Sequence, residues 1–487
     1  MQKSPFVYSN LFTVVVAFLL LSCGQGNSSK ANTDTTARSS KTQPGYDTTL
    51  PVGIVKDTVT CRNDNGQAYA LYLPTYYTSS RQWPCIILFD AHARGALPLR
   101  MYKNIAEQYG FILVGSNVSK NGLQPNAIDN IINTLWDDVH ARINIDANRT
   151  YTSGFSGGAK VAALAAFGHG GVAGVIGCAG GLPNPDQVAR VNFDYFGIAG
   201  DYDFNQPEMM QLDDQLANAN KTHQLLTWSG IHAWPPVSEY KTAILWMMVN
   251  SMKHGNMPKD SVVVTELKRD LDKRIAAASS KKDVVTAGWL LSGYASLLDG
   301  MTNIHGSKTQ MGISFTNAEY RAAVDAMPQI IQSEKTMEQE LAGQFTVLNE
   351  QVWAQKIAGL NQDIAHAKTP QVAHSMRRVL AFLGFVSYMS VSRATAAGDL
   401  AHAESYNRIF KMADPKNPDR CYFDAIIAAR KADAKTTLMA LTEAVKLGYS
   451  DVDQLMTEPS FAPIKEDPRF LLVAQQVRDN HDGKNLK

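Results

Sequence analysis

The chain has 487 residues, more than one domain of ordinary size holds, and its 45% apolar and 19% charged content excludes a disordered or collagen-like polymer. Lys and Arg number 46 against 45 Asp and Glu, a formal charge of +1, so the chain offers neither a basic field for nucleic acid nor an acidic solvating run. Five cysteines in this length do not make a disulfide framework.

Lys3 gives a short positive start, and Leu11 to Leu21 then forms an almost unbroken apolar run of 11 residues. A bilayer-spanning helix needs about 18–20, so the run reads as the core of a signal peptide over residues 1–22. Leu20-Leu21-Ser22-Cys23 resembles a bacterial lipobox. That resemblance implies cleavage before Cys23 and a lipid, palmitate included, on the mature N-terminus; the alternative is an ordinary secretory signal with a cysteine near its end. Gly24 in place of an Asp points to the outer rather than the inner membrane of a bacterial envelope. Residues 23–50 are rich in Ser, Thr, Asn and Lys, which predicts a flexible tether.

From residue 51 to 255 short apolar runs alternate with helical patterns. Strands are expected at Cys85–Phe89, Phe111–Gly115, Thr150–Thr152, Gly174–Cys178, Tyr195–Ala199 and Gln224–Trp228. Ile128, Ile131, Ile132, Leu135 and Val139 keep helical spacing behind Pro125, with Asn126 as the expected cap. The alternation predicts an α/β domain, a mostly parallel sheet with helices on both faces. Ligand sites in such sheets lie beyond the carboxyl ends of the strands. Cys85 and Cys178 fall in apolar runs and are expected to pack as small hydrophobes, while a Cys61–Cys85 disulfide would suit an exported chain. No CxxC pair or histidine cluster suggests a metal site, and no cofactor is expected.

Three strand ends carry chemistry. Gly154-Phe155-Ser156-Gly157-Gly158 joins a strand to an alanine-rich helix; a nucleophilic serine needs a turn this tight, and the helix start aims free N–H groups at the same point. Asp201 and Asp203 both follow the strand ending at Ala199, and the Gly200-x-x-Asp203 spacing favours Asp203 as the carboxylate that orients a histidine. His232 lies on a loop bracketed by Gly230 and Pro235, placed to take a proton from Ser156. Ser…Asp…His is the chain order of α/β-hydrolases.

On the segments 154–167, 200–205 and 230–235, the stretch from about Val52 to His254 resembles the α/β-hydrolase superfamily. It is most similar to the branch of polyhydroxybutyrate depolymerase-like, feruloyl and acetylxylan esterases and dienelactone hydrolases. The resemblance implies Ser156 as nucleophile, Asp203 as orienter and His232 as general base. That branch commonly has His-Gly before its oxyanion loop, where this chain has Phe89-Asp90-Ala91-His92-Ala93-Arg94-Gly95. Gly157 is then one oxyanion donor, and Ala91 or a neighbour the second. His92 and Arg94 are expected near the mouth, either touching substrate or only shaping the loop. Trp234 offers either a stacking face or lid packing.

After Met257-Pro258 the pattern turns helical, with amphipathic stretches at 266–277 and 338–357 and buried apolar helices at 289–298 and 379–391. A weak repeat at an offset of 34 aligns Tyr388 with Tyr422, Ala394 with Ala428 and Gly398-Asp399 with Ala432-Asp433. This resembles tetratricopeptide (TPR) repeats, which implies that 256–487 is an all-α TPR-like domain that either binds a protein partner or caps the catalytic domain. The whole chain reads as an exported, membrane-anchored serine hydrolase of carboxylic esters, with an acylated polysaccharide or polyester as the expected substrate. A serine peptidase on the same scaffold, or a non-catalytic lipoprotein binding partners through its helical half, are the alternatives.

Overall fold

The structure is a computed structural model that describes residues 45–484. The expected signal peptide, Cys23 and the tether up to residue 44 lie outside the described residues.

The first part of the chain runs β1 (Val55–Thr60), β2 (Ala68–Tyr72), β3 (Trp83–Phe89), α1 (Ala96–Tyr109), β4 (Ile112–Ser116), α2 (Pro125–Arg142), β5 (Ile145–Phe155), α3 (Gly157–Gly168), β6 (Val172–Cys178), β7 (Asp194–Gly200), α4 (Gln206–Asn218), β8 (His223–Trp228) and α5 (Val237–Lys253). Eight strands form one sheet in the order β1-β2-β4-β3-β5-β6-β7-β8. From β4 to β8 every pairing is parallel, while β1 and β2 add an antiparallel edge. Every residue of β3, β4 and β7 is buried, because helices cover both faces. The edge strand β1 alternates exposed positions with half-buried ones, only Val59 being buried, and its Lys, Asp and Thr content hid it from a search for apolar runs. Pro125 occupies the first turn of α2 and Gln124 the cap, so Asn126 lies inside the helix: a proline fixes the φ that a first helical residue needs. Cys61, Cys85, Cys178 and Cys421 are all buried and free, and the Cys61–Cys85 bridge is not formed.

The remainder is helical: α6 (Ser261–Ser280), α7 (Val284–Leu298), α8 (His305–Thr316), α9 (Ala318–Gln344), α10 (Glu350–Ala365), α11 (Pro370–Ala396), α12 (Leu400–Ala413), α13 (Asp419–Arg430), α14 (Ala434–Lys446), α15 (Val452–Thr457) and α16 (Pro468–His481). The stretch expected as one helix at 338–357 is two, because the chain turns at Phe345–Leu348 and Asn349 caps α10 by accepting the Val352 N–H. Secondary structure changes character after residue 255, but packing does not. Val263, Leu267 and Leu271 of α6 and Leu290, Leu291 and Leu298 of α7 share a core with Leu99 and Tyr102 of α1 and Trp246 of α5. Val285, Val324 and Met327 join the core on the sheet's other face. Further along, α11–α12 and α13–α14 are helix hairpins whose turns repeat at the 34-residue offset. Gly398 and Ala432 both adopt φ near +60 to +75°, and Asp399 and Asp433 then cap the second helix by accepting the His402 and Thr436 N–H groups.

Helix α11 is 27 residues long and apolar enough, by length and composition, to cross a membrane. Its Val379, Leu383 and Val391 are fully buried among the other helices. It meets the carboxyl end of β7. Arg378 reaches the end of β7, Phe385 stacks on Phe204 just beyond it, and Tyr388 lies near Asp419 and Asp451, which also face Arg94 after β3.

Candidate active site

Ser156 sits between β5 and α3 with φ 56° and ψ −121°, a conformation costly for a residue with a β-carbon. The surroundings hold it there. Its N–H donates to the Cys178 carbonyl at 2.8 Å, tying the turn to β6. The flanking glycines are required by contact: a β-carbon on Gly154 would lie 2.0 Å from the Gly158 carbonyl oxygen, and one on Gly158 would lie 2.1 Å from that of Phe89. Gly158→Ala is therefore expected to push α3 off β3 at a cost of about 3 kcal/mol or more, measured as a lowered midpoint in urea unfolding.

Asp203, fully buried in the turn after β7, accepts the His232 Nδ1–H at 2.9 Å and the Asn205 N–H at 2.8 Å through the same oxygen. His232 Nε2 lies 3.0 Å from Ser156 Oγ. With Nδ1 carrying the proton, Nε2 presents its lone pair to the serine hydroxyl. The rings of Phe155 and Phe204 flank the imidazole with centroids 4.8 and 4.6 Å away, which restricts its rotation. Of the two aspartates, Asp201 points elsewhere. It lines a small polar cavity against the helical region with Gln206, Thr227, Asp283, His374 and Arg378.

Burial and the neighbouring Asp283 push Asp201 up to about 7, and burial beside Asp451 does the same to Asp419. Burial next to Glu334 pushes Glu338 up to about 8. The folded chain thus keeps protons that the unfolded chain releases near pH 4. Stability from these groups is complete below that pH and is lost as pH rises through 7 to 8. His140, His169 and His374 are pushed down by burial and act in the opposite sense below about pH 6.5. The thermal midpoint is accordingly expected to fall between about pH 6.5 and 8 and then level off, with a flatter slope in Glu338→Gln.

Gly157 begins α3, and its N–H is one of the helix-start donors without an intrahelical acceptor. Ala91 follows β3, with its carbonyl taken by the Asn121 N–H at 2.9 Å. The His92 N–H is engaged by Asp90 Oδ1 at 2.8 Å, and the Ala93 N–H by the Ser119 carbonyl at 3.0 Å. Asn121 was not singled out in the sequence. Its amide oxygen lies where a β-carbon on Gly157 would come within 1.9 Å, so it bridges the two donor segments, and only its position in space reveals that.

The other expected mouth residues divide. His92 is half exposed beside the site. Arg94 instead turns onto Asp90 with two hydrogen bonds of 2.8 and 3.0 Å and donates to Ser450 Oγ at 3.2 Å. Trp234 offers no stacking face: it is 6% exposed, lies against Phe155 and Tyr102, and donates its indole N–H to Asp90 at 2.6 Å. A buried carboxylate at position 90 draws both side chains inward. Apolar surface beside the Ser–His–Asp arrangement comes from elsewhere, from exposed Ile231 and from Phe385 on α11, stacked at 5.4 Å on Phe204.

No protein-family model matches the chain, and no curated protein matches it. Among solved structures, an S-formylglutathione hydrolase from Staphylococcus aureus is similar at 16% identity over 37% of this chain and 90% of its own, with a TM-score of 0.33. A ferulic acid esterase matches at 16% identity over 39% and 93%, TM-score 0.30. An esterase of the fungus Rhizomucor miehei matches at 14% over 39% and 81%, TM-score 0.32.

Proposed function

We propose that the protein is an exported serine hydrolase of carboxylic esters, held to a bacterial envelope by a lipid on Cys23. Ser156 Oγ attacks the ester carbonyl while His232 Nε2 takes its proton, and Asp203 stabilises the imidazolium that results. The tetrahedral oxyanion is held by the Gly157 and Ala91 N–H groups. His232 returns the proton to the departing alcohol, leaving an acyl-enzyme, and then activates water to release the acid. Each step uses only groups of this chain. Ile231 and Phe385 favour an ester with an apolar group next to the scissile carbonyl, and an acylated polysaccharide or a polyester has that chemistry. The helical region, read as TPR-like on its repeated hairpin turns, supplies part of the site's wall and a surface for a protein partner.

The observation that carries this reading is a strained serine whose hydroxyl lies 3.0 Å from an imidazole held by a buried aspartate. Labelling the mature protein with a fluorophosphonate probe tests it. The label is expected on the wild type and absent from Ser156→Ala and His232→Ala, after which esters are compared by chain length. A folded wild type that takes no label would overturn the reading.

A further inference from the structure

Asp90 directly follows β3 and is fully buried, yet four hydrogen bonds from three residues converge on it. Oδ1 accepts the backbone N–H of His92 at 2.8 Å and Arg94 Nε at 2.8 Å. Oδ2 accepts Arg94 Nη2 at 3.0 Å and Trp234 Nε1 at 2.6 Å. The ring of His92 stands farther off, with Nδ1 at 3.8 Å.

Each partner belongs to a different working part of the site. His92 follows Ala91, so its bond sets the orientation of the turn that presents the Ala91 N–H. That turn has little freedom of its own: Ala93 is held at φ 60°, and a β-carbon on Gly95 would lie 2.3 Å from the Gly115 carbonyl oxygen. Trp234 follows His232 by two residues, so its bond fixes the loop that carries the base. The same loop is tied at Pro235, whose carbonyl accepts the Tyr102 hydroxyl at 2.7 Å, and at Gly230, whose carbonyl accepts the Tyr202 N–H at 2.9 Å. Arg94 continues the network into the helical region through Ser450 Oγ at 3.2 Å. A buried carboxylate is costly unless its acceptor sites are filled, and here each oxygen has two donors.

We propose that Asp90 is a positioning residue for the hydrolysis: it locks the oxyanion turn and the base loop into one geometry and joins both to the helical region. The proposal rests on the serine-hydrolase reading. Misplacing either element by about 1 Å costs on the order of 100-fold in rate, whereas a role in folding alone would change only how much protein is active.

Burst titration with a slow-turnover ester counts reactive serines, and steady-state turnover is then expressed per reactive site. Trp234→Phe keeps the packing and removes one bond; Asp90→Asn removes the charge and faces Arg94 and Trp234 with a competing donor. Full burst amplitude with per-site turnover reduced about tenfold in Trp234→Phe, further reduced in Asp90→Asn, and KM little changed is the expected result. Where Asp90→Asn fails to fold, Trp234→Phe decides alone. Unchanged per-site turnover in folded Trp234→Phe would overturn the proposal. A folded wild type that takes no fluorophosphonate label and shows no burst would overturn the underlying reading, and the positioning role with it.

Discussion

Ser156→Ala is expected to lower ester turnover by about 10⁵–10⁶-fold while leaving the fold intact. In the proposed mechanism the residual rate comes from binding and from the Gly157 and Ala91 N–H groups, which the substitution does not touch. Alanine keeps the β-carbon at φ 56°, so the strain of the turn is unchanged and its tie to Cys178 uses only the backbone N–H. His232→Ala should cost about as much, and the double variant no more than either alone, because the residues act as a unit. Asp203→Asn is expected to lose about 10⁴-fold by presenting a donor to Nδ1 and favouring the wrong tautomer. The measurement is kcat on a soluble aryl ester, with circular dichroism to show that each variant is folded. Wild-type turnover in Ser156→Ala would remove the serine mechanism altogether.

The largest stability effect is expected at Arg378. This side chain and Glu334 are both about 2% exposed and form a two-pronged pair, with Nε to Oε1 at 2.7 Å and Nη2 to Oε2 at 2.6 Å. The remaining nitrogen donates to Gln206 Oε1 at 2.6 Å and to the Asp201 carbonyl at 3.1 Å, two residues before Asp203. Arg378→Met leaves Glu334 buried without its partner and is expected to cost about 3–5 kcal/mol. Adding Glu334→Leu removes the orphaned charge and should recover most of that loss. Urea unfolding of the two single variants and the double gives the coupling. A single variant within about 1 kcal/mol of wild type would show that water or rearrangement satisfies Glu334.

The site was legible to the extent that its chemistry is local. The G-x-S-x-G turn, the Gly-x-x-Asp spacing and the Gly/Pro-bracketed histidine each lie within a few residues of a strand end, and the sheet order brings those ends together. Asn121, Asp90 and Phe385 carried no such signal. An asparagine in a turn, an aspartate after a strand and a phenylalanine on a helix are common, and only contacts across large sequence separations distinguish these three. Arg94 and Trp234 were drawn toward the mouth by their place in sequence and away from it by Asp90, a competition for hydrogen bonds that no local pattern records.

Residue patterns were enough for the α/β alternation, the strands buried on both faces, the chain order of Ser156, Asp203 and His232 at strand ends, and the helical remainder with its repeat at 34. These follow from residue periodicity and from turns that few residue types tolerate. Only the folded chain shows that α6 and α7 belong to the sheet's own core and that Arg378 and Glu334 tie α11 to the end of β7. Those outcomes depend on which apolar faces and buried charges find each other, and that is settled only when distant segments close around the same space.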